Sequence, residues 1–156
     1  MRVHVIAVGR LRAGPEKDLV DDYLTRFDRT AGRLGLGPAR VVEVDDRKGG
    51  GMTGEAALLR RAIPDGAVLA ILDERGRVES SPQFAQRLAT WRDESRRDLA
   101  LVIGGADGLD PALRAEADFA LSFGKMVWPH MLVRVMISEQ LYRAASILAG
   151  APYHRQ

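Results

Sequence analysis

Residues 98–123 read DLALVIGGADGLDPALRAEADFALSF and predict a strand, a short helix and a second strand in that order. The run 98–105 is apolar and ends in two glycines, which is typical of a buried strand. Asp110 and Pro111 then supply an N-cap and a first helical residue, and 118–123 is apolar again. Because such a crossover joins parallel strands, the stretch predicts an α/β fold.

The same alternation of strands and helices extends over the rest of the chain. Apolar runs predict strands, and apolar residues at helical spacing predict helices, with Thr53 as a candidate N-cap. We therefore predict one domain over residues 1–156, with a mostly parallel sheet and helices on both faces. The further predicted strands are 3–9, 39–45 and 67–73, and the further predicted helices are 15–27, 53–63, 81–93 and 129–150.

The composition excludes several classes of protein. Apolar residues make up 46% and charged residues 28% of the chain, as in soluble globular proteins. No apolar run approaches the roughly 20 residues that span a bilayer, and the N-terminus lacks the apolar core of a signal peptide. We expect a cytoplasmic protein without a membrane partner. The chain has no cysteine and no metal-ligand spacing of histidines, so we expect no disulfide and no metal.

The charge balance by itself does not indicate nucleic-acid binding. The chain has 23 Lys and Arg against 21 Asp and Glu, a net charge of +2. The C-terminal third is more basic, and its charges could meet phosphates, although ordinary surface scatter explains the count equally well. Over residues 124–156 these charges are Lys125, Arg134, Arg143 and Arg155 against Glu139 alone.

Three strand ends carry unusual sequences. Ligands of parallel sheets bind outside the carboxyl ends of the strands. Residues 71–77 leave a buried strand through Leu72, residues 103–108 contain two glycines, and residues 121–130 contain Gly124. The glycine fingerprint of dinucleotide sites and the phosphate-binding P-loop are both absent. The two glycines also fit an ordinary tight turn, so the pattern alone leaves the ligand open.

Two further segments allow a functional and a structural interpretation. Residues 45–54 place charged residues before three consecutive glycines, as in a plain connector or in a basic flap over an anionic ligand.

The histidine within the first strand, His4, is expected to be structural. His130 starts the last helix and is either a functional neutral imidazole or a local hydrogen-bonding residue. That helix is apolar around most of its circumference, which indicates burial on both sides, within the domain or against a second copy.

The chain ends in GAPYHRQ, residues 150–156. Chain ends usually fray, and Gly150 and Pro152 stop the helix here. Yet the next three residues, Tyr153, His154 and Arg155, can stack on a base, exchange a proton and hold an anion. We therefore expect a functional tail.

Three segments carry a resemblance to a known family: LVIGGADGL (101–109), LSFGKMVWPHMLVRVMISEQLYRA (121–144) and the terminal YHR (153–155). In these segments the sequence resembles the ribosomal RNA large subunit methyltransferase H family of the SPOUT class. The first strand VHVIAVGRL, the helix ending YLTRF and the chain length also fit, so the resemblance covers the whole chain. It implies an α/β fold with a C-terminal trefoil knot, S-adenosylmethionine as cofactor and a homodimer. It also implies methylation of N3 of a pseudouridine in 23S rRNA within assembled ribosomes.

The resemblance implies a cofactor site built from main-chain groups. Relatives often carry serine in place of Gly124, and a smaller apolar residue or Phe in place of Trp128. Neither difference removes a backbone amide, so recognition of adenine through the main chain should persist. The expected cofactor residues are Leu72, Gly105, Gly124, Lys125, Met126, Val127, Trp128 and Pro129.

The chemistry of the implied reaction suggests roles for the tail and the last helix. A sulfonium methyl is already activated, so the enzyme must align the reactants and help N3 lose its proton. His154 and Glu139 are the candidate bases, and Arg143 or Arg155 could stabilise the imide anion. Tyr153 offers a face for a splayed base. We expect this cleft at the dimer interface, where one protomer's cofactor meets residues of the other.

Two other classes remain open at this stage. One is a nucleotide-binding oxidoreductase with a divergent turn, which a titration with S-adenosylmethionine and NADH would distinguish. The other is a non-catalytic ribosome-binding module, which would bind ribosomes and transfer no labelled methyl group.

Overall fold

The computed structural model describes residues 1–45 and 50–155. Its strands are β1 (Arg2–Val8), β2 (Ala39–Val44), β3 (Val68–Val78), β4 (Asp98–Ile103) and β5 (Phe119–Ser122). They form a five-stranded sheet in the order β2-β1-β4-β3-β5, and every neighbouring pair is parallel. The predicted parallel sheet is confirmed.

The helices also lie where the sequence predicts them. They are α1 (Pro15–Ala31), α2 (Gly51–Ala62), α3 (Ser81–Asp93), α4 (Pro111–Glu116) and α5 (His130–Leu148), with a short 3₁₀ turn at Gly32–Leu34. The predicted N-cap of α4 is confirmed, because the Asp110 carboxylate accepts hydrogen bonds from the backbone of Ala112 and Leu113. The predicted cap of α2 is wrong: this helix begins at Gly51, which places Thr53 inside its first turn.

Helices cover both faces of the sheet, so side chains that alternate along each strand are buried on either side. Phe27 of α1, Leu88 of α3 and Leu141 of α5 belong to the core on one face. Leu59 of α2 and Leu113 of α4 belong to the core on the other. All six residues of β4 are buried, as expected for a central parallel strand. Full burial of each such large apolar side chain contributes about 1.5–3 kcal/mol.

Strand β3 runs five residues beyond its predicted end and pairs with β5 along this extension. Leu72 and Arg77 both align with Leu121, so the pairing of the two strands contains an irregularity between them. A Cβ atom on Gly76 would lie 2.6 Å from the carbonyl oxygen of Ala120, and therefore only glycine fits without a shift of the backbone. β5 lies in the C-terminal part of the chain, where the resemblance implies a knot.

The amino ends of β1 and β4 are joined by an ionic cluster. The Asp98 carboxylate accepts hydrogen bonds from Arg2, at 2.8 and 2.9 Å, and lies 2.8 Å from Nε2 of His4. The hydrogen bonds from Arg2 outweigh burial and hold the pKa of Asp98 below its usual range. His4 thus has the structural role that the sequence predicts.

The predicted flap, residues 45–54, lies partly outside the described residues. Residues 46–49 are not described, and α2 already begins at Gly51, so the connector is shorter than residues 45–54. Among residues 1–45 and 50–155, no helix combines the length and the apolar character that crossing a bilayer requires.

Candidate active site

A cavity of about 610 Å³ lies at the carboxyl ends of β3, β4 and β5. The three strand ends that the sequence singles out meet here, because parallel strands end at the same edge of the sheet. Lys125 is the one predicted cofactor residue that does not line the cavity. The other seven line it: Leu72, Gly105, Gly124, Met126, Val127, Trp128 and Pro129.

The turn after β4 forms one wall of the cavity through its main chain. A Cβ atom on Gly104 would lie 2.8 Å from the carbonyl carbon of Gly108, so this position has no room for a side chain. The Gly108 backbone N–H donates to the carbonyl oxygen of Gly105 at 3.0 Å, which closes the turn. The two glycines therefore permit a compact turn whose backbone a ligand can approach closely.

The segment after β5 forms the opposite wall. The Ser122 hydroxyl accepts a hydrogen bond from the Gly124 backbone N–H and contacts the carbonyl oxygen of Glu74, each at 3.0 Å. Gly124 has a φ of 111°, a conformation that favours glycine. The end of β3 and the segment that follows β5 are thereby held together at the mouth of the cavity.

Asp73 places a paired carboxylate at the cavity. Its Oδ1 accepts from the Arg75 backbone at 2.9 Å, and its Oδ2 lies 2.9 Å from Nε of Arg114. Burial acts to raise the pKa of Asp73, but the hydrogen bonds from Arg75 and the charge of Arg114 outweigh it and hold that pKa below its usual range. This wall of the cavity therefore carries charged side chains whose opposite charges offset one another.

The start of α5 exposes apolar side chains beside the cavity. We name this surface the apolar rim; its residues and exposed fractions are Met126 (75%), Val127 (77%), Trp128 (42%), Met131 (41%) and Leu132 (39%). An exposed cluster of this kind indicates a binding or subunit contact surface.

The tail folds back onto α5 and forms a second cluster. Glu139 Oε1 accepts hydrogen bonds from Nε and Nη2 of Arg143, at 2.9 and 2.5 Å, and from the Tyr153 hydroxyl at 3.0 Å. Nη1 of Arg143 lies 3.4 Å from Nδ1 of His154. We call Glu139, Arg143, Tyr153 and His154 the tail cluster. It shows that the tail is docked rather than frayed.

The protonation states in the tail cluster follow from its contacts. Burial first, and then the hydrogen bond to Glu139, raise the pKa of Tyr153 to about 12, so Tyr153 is a donor at neutral pH. The same carboxylate raises the pKa of Arg143. The Tyr153 ring already contacts Tyr142, at 4.5 Å between centroids, and the Arg143 guanidinium, at 4.8 Å. Stacking of an RNA base on Tyr153 stays a prediction.

The structure does not bring the tail cluster to the cavity of the same chain. His130 and Val133 line the cavity, whereas Glu139 lies six residues beyond Val133 along α5, which corresponds to about 9 Å. Arg155 is exposed and makes no ion pair within the described part of the chain. The two predicted groups of residues are thus each assembled, but apart from one another.

Two residues that the sequence analysis did not identify have clear positions. Arg134, counted there as a surface charge, is 1% exposed, and it donates to Glu43 at 2.8 Å and to the carbonyl oxygens of Val8 and Gly9. Its helical spacing from the buried Ile137 was the available signal. Gln140, the second residue, links α3 to the tail cluster.

Gln140 accepts one hydrogen bond and donates another at the edge of the tail cluster. The Ser81 hydroxyl lies 2.8 Å from Gln140 Oε1, and Gln140 Nε2 donates to Glu139 Oε2 at 3.0 Å. Both carboxylate oxygens of Glu139 therefore have donors. No group of three or more potential metal ligands is found among the described residues.

Comparison with known proteins first defines the class. A family model described as "Predicted SPOUT methyltransferase" matches residues 1–154. Solved structures with low sequence identity share the fold: a probable methylase family protein from Haemophilus influenzae Rd KW20 (TM-score 0.52, 12% identity, 99% of this chain and 70% of that chain) and a probable methyltransferase from Bordetella pertussis Tohama I (TM-score 0.50, 17% identity, 92% and 96%).

Full-length relatives define the family more narrowly. The chain is 84% identical to a ribosomal RNA large subunit methyltransferase H from Roseobacter denitrificans and 75% identical to one from Ruegeria pomeroyi, with 99% of each chain covered in both cases. The chain belongs to the ribosomal RNA large subunit methyltransferase H family, and the predicted resemblance is confirmed.

Proposed function

We propose that this chain, acting as one domain over residues 1–156, transfers the methyl group of S-adenosylmethionine to N3 of a pseudouridine in 23S rRNA of assembled ribosomes. Family membership makes it a methyltransferase of large-subunit ribosomal RNA. The observation that carries the proposal is the meeting of seven expected cofactor residues around one cavity at the carboxyl edge of the sheet. With the ribosome as substrate, the reaction takes place in the cytoplasm.

The cavity suits a nucleoside cofactor. Its volume of about 610 Å³ lies in the range of small-molecule sites. The turn at Gly104 and Gly105 lets backbone groups reach a flat ring, and Leu72 and Val127 supply apolar walls. S-adenosylmethionine supplies a methyl group activated by its sulfonium centre. The chain's own residues need only bind it, orient it and exclude water.

We propose that His154 is the base that removes the proton from N3. Both oxygens of Glu139 already accept hydrogen bonds, so Glu139 is better placed to fix Arg143 than to take a proton. Arginine has donors only, so its contact with Nδ1 of His154 uses the ring lone pair and leaves the ring proton on Nε2. At 3.4 Å this contact is weak, and Nδ1 can exchange it for the imide proton.

Arg143 and Arg155 are the proposed stabilisers of the imide anion. Two N–H groups of Arg143 are bound to Glu139, which leaves further donors on the same guanidinium for a developing negative charge. Arg155 is exposed at the end of the tail and can reach an RNA partner. Tyr153 remains the proposed contact for the target base.

A homodimer would complete the site. In one chain no residue of the tail cluster lines the cavity, and Glu139 lies about 9 Å along α5 from the nearest lining residue of that helix, Val133. The apolar rim beside the cavity is exposed. A second copy that covers the rim would bury these apolar side chains and bring its own tail cluster to the cavity. Both observations support the proposal of a composite site.

The test uses ribosomes from a strain that lacks the enzyme and S-adenosylmethionine with a labelled methyl group. We expect one methyl group per ribosome, located at N3 of a single pseudouridine in 23S rRNA after nuclease mapping. Label in another nucleotide would overturn the assigned position. Binding of ribosomes without any transfer of label would instead indicate a non-catalytic module.

A further inference from the structure

A second cavity, of about 970 Å³, adjoins the first at the carboxyl ends of β1 and β2. Its lining comes from the loop between β1 and α1, the end of β2 and the first turns of α5. His130 lines both cavities, so the start of α5 forms their common border. We name this second cavity the basic groove, because its lining includes Arg10, Arg12, Lys17, His130 and Arg134.

The loop after β1 directs two arginines away from the core. Leu11 is 8% exposed, and its backbone N–H donates to the Glu43 carboxylate at 2.5 Å. The neighbours Arg10 and Arg12 are exposed and form no ion pair with any residue that the structure describes. Their charges are therefore available to an external anion, and Leu11 fixes the loop that carries them.

The lining of the groove includes two acidic residues, Glu43 and Asp45, and Glu43 is already neutralised. Glu43 accepts from Nη1 of the buried Arg134 at 2.8 Å. Within the described residues, Nε of Arg134 has no hydrogen-bond partner, and this guanidinium is part of the groove lining. Arg134 thus offsets the negative charge of Glu43 and leaves the field of the arginine loop in place. Lys17 forms an ion pair with Asp21 on the outer side of α1.

The start of α5 adds to the positive potential at the border of the two cavities. The helix has 19 residues, no side-chain N-cap and no acidic residue in its first turn. The amino end of such a helix carries a partial positive charge that attracts anions. It lies beside His130, where the groove meets the cofactor cavity.

We infer that the basic groove holds the phosphodiester backbone of the rRNA strand next to the target nucleotide, with Arg10 and Arg12 as its phosphate contacts. The inference rests on the proposed function. A nucleotide that is methylated in the first cavity must be continuous with a strand, and the adjoining groove with two unpaired arginines fits that strand. Its chemistry recognises RNA phosphates and no particular base.

The test compares Arg10→Ala/Arg12→Ala with the matched control Arg33→Ala/Arg97→Ala, which removes two exposed arginines at the amino end of the sheet. We would measure the KM for ribosomes lacking the methyl group at several salt concentrations, and the cofactor Kd by calorimetry. Loss of two single-strand phosphate contacts should lower the salt slope of log(1/KM) by about 1.4. At physiological salt we expect KM to rise about tenfold or more.

The control variant and the cofactor Kd should stay within twofold of the wild type. An unchanged KM and salt slope in Arg10→Ala/Arg12→Ala, or an equal change in the control, would overturn the inference. So would a parallel loss of cofactor affinity, since the loop would then support the cavity. Wild-type protein that transfers no methyl group would overturn the proposed function instead.

A competition experiment separates RNA from protein as the occupant of the groove. A single-stranded oligoribonucleotide should inhibit methyl transfer by the wild type, and about tenfold more of it should be needed with the Arg10→Ala/Arg12→Ala variant. If the oligoribonucleotide inhibits both proteins equally or neither, the groove does not bind the RNA backbone, and an acidic protein surface of the ribosome becomes its partner.

Discussion

Glu139 links the tail to the rest of the molecule. It accepts hydrogen bonds from Arg143, four residues along α5, and from Tyr153, fourteen residues further on. Because the pKa of Tyr153 is raised to about 12, its hydroxyl keeps its proton, and with it the hydrogen bond, well above neutral pH. The position of His154, the adjacent residue, depends on this contact.

His154→Ala tests the role of the tail. Loss of a general base should lower the rate of methyl transfer by about 10²- to 10⁴-fold and leave the cofactor Kd unchanged. Tyr153→Phe keeps the ring and removes the hydrogen bond to Glu139, so we expect a smaller loss, about tenfold. Radiolabel transfer and calorimetry give the two quantities. Equal losses of transfer and cofactor affinity would refute the assignment.

Single residues show both the reach and the limit of sequence reasoning. Leu72, Gly105 and Gly124 were predictable, because parallel strands present their carboxyl ends at one edge and glycine marks turns there. Arg134 was not recognised, since charged residues are almost never fully buried unless paired. Its partner Glu43 lies 91 residues away, which no local pattern reveals.

At the scale of elements, the extension of β3 is the feature that shapes the cavity. It carries Asp73 and Glu74 to the mouth of the cavity and lies close against the backbone of β5 at Gly76. The sequence predicted the buried first half of this strand and missed the second half. DERGR, residues 73–77, is polar and has no apolar alternation, so it resembles a loop. Its extended form depends on pairing with β5, a tertiary interaction.

Gly76→Ala tests the close approach of β3 to β5. The new Cβ atom would meet the carbonyl oxygen of Ala120 at 2.6 Å, so the strands must move apart, at a cost of about 1–3 kcal/mol of unfolding free energy. We expect a lower denaturation midpoint and weaker cofactor binding. The matched control is Gly32→Ala, where φ is −55° and no atom lies within 4 Å. It should be neutral or stabilise by about 0.4–1 kcal/mol. Equal changes of stability in Gly76→Ala and Gly32→Ala would exclude the close approach of β3 to β5 as the cause.

At the scale of the whole molecule, the chain assembles two groups of candidate site residues, and no residue of the tail cluster lines the cavity. The cavity lies at the start of α5, and the tail cluster lies further along the same helix. The sequence could place both groups on their elements, but not in space. The implied knot came from the resemblance alone, because helix and strand periodicity carries no information about threading. The apolar circumference of the last helix was compatible with a second copy, but equally with burial inside the domain.

Mixing two inactive variants tests the composite site. Gly104→Val should block the cavity, since even a Cβ atom there lies 2.8 Å from the backbone of Gly108. His154→Ala should disable the tail cluster. After joint unfolding and refolding, random pairing in a two-fold dimer should restore about one quarter of the wild-type activity. Each variant refolded alone serves as the control. A mixture that forms dimers and stays inactive would place the cavity and tail of one site in the same protomer.

The pairing of β3 with β5 has a consequence for the lifetime of the protein. A cofactor at the proposed site, between Leu72 and Gly124, would join the ends of these two strands, so unfolding of either strand would release it. At a free cofactor concentration 100 times its Kd, this linkage stabilises the folded chain by about 2.7 kcal/mol. Resistance to proteases should therefore increase with the concentration of S-adenosylmethionine. In cells that contain little of this methyl donor, the protein should be degraded sooner.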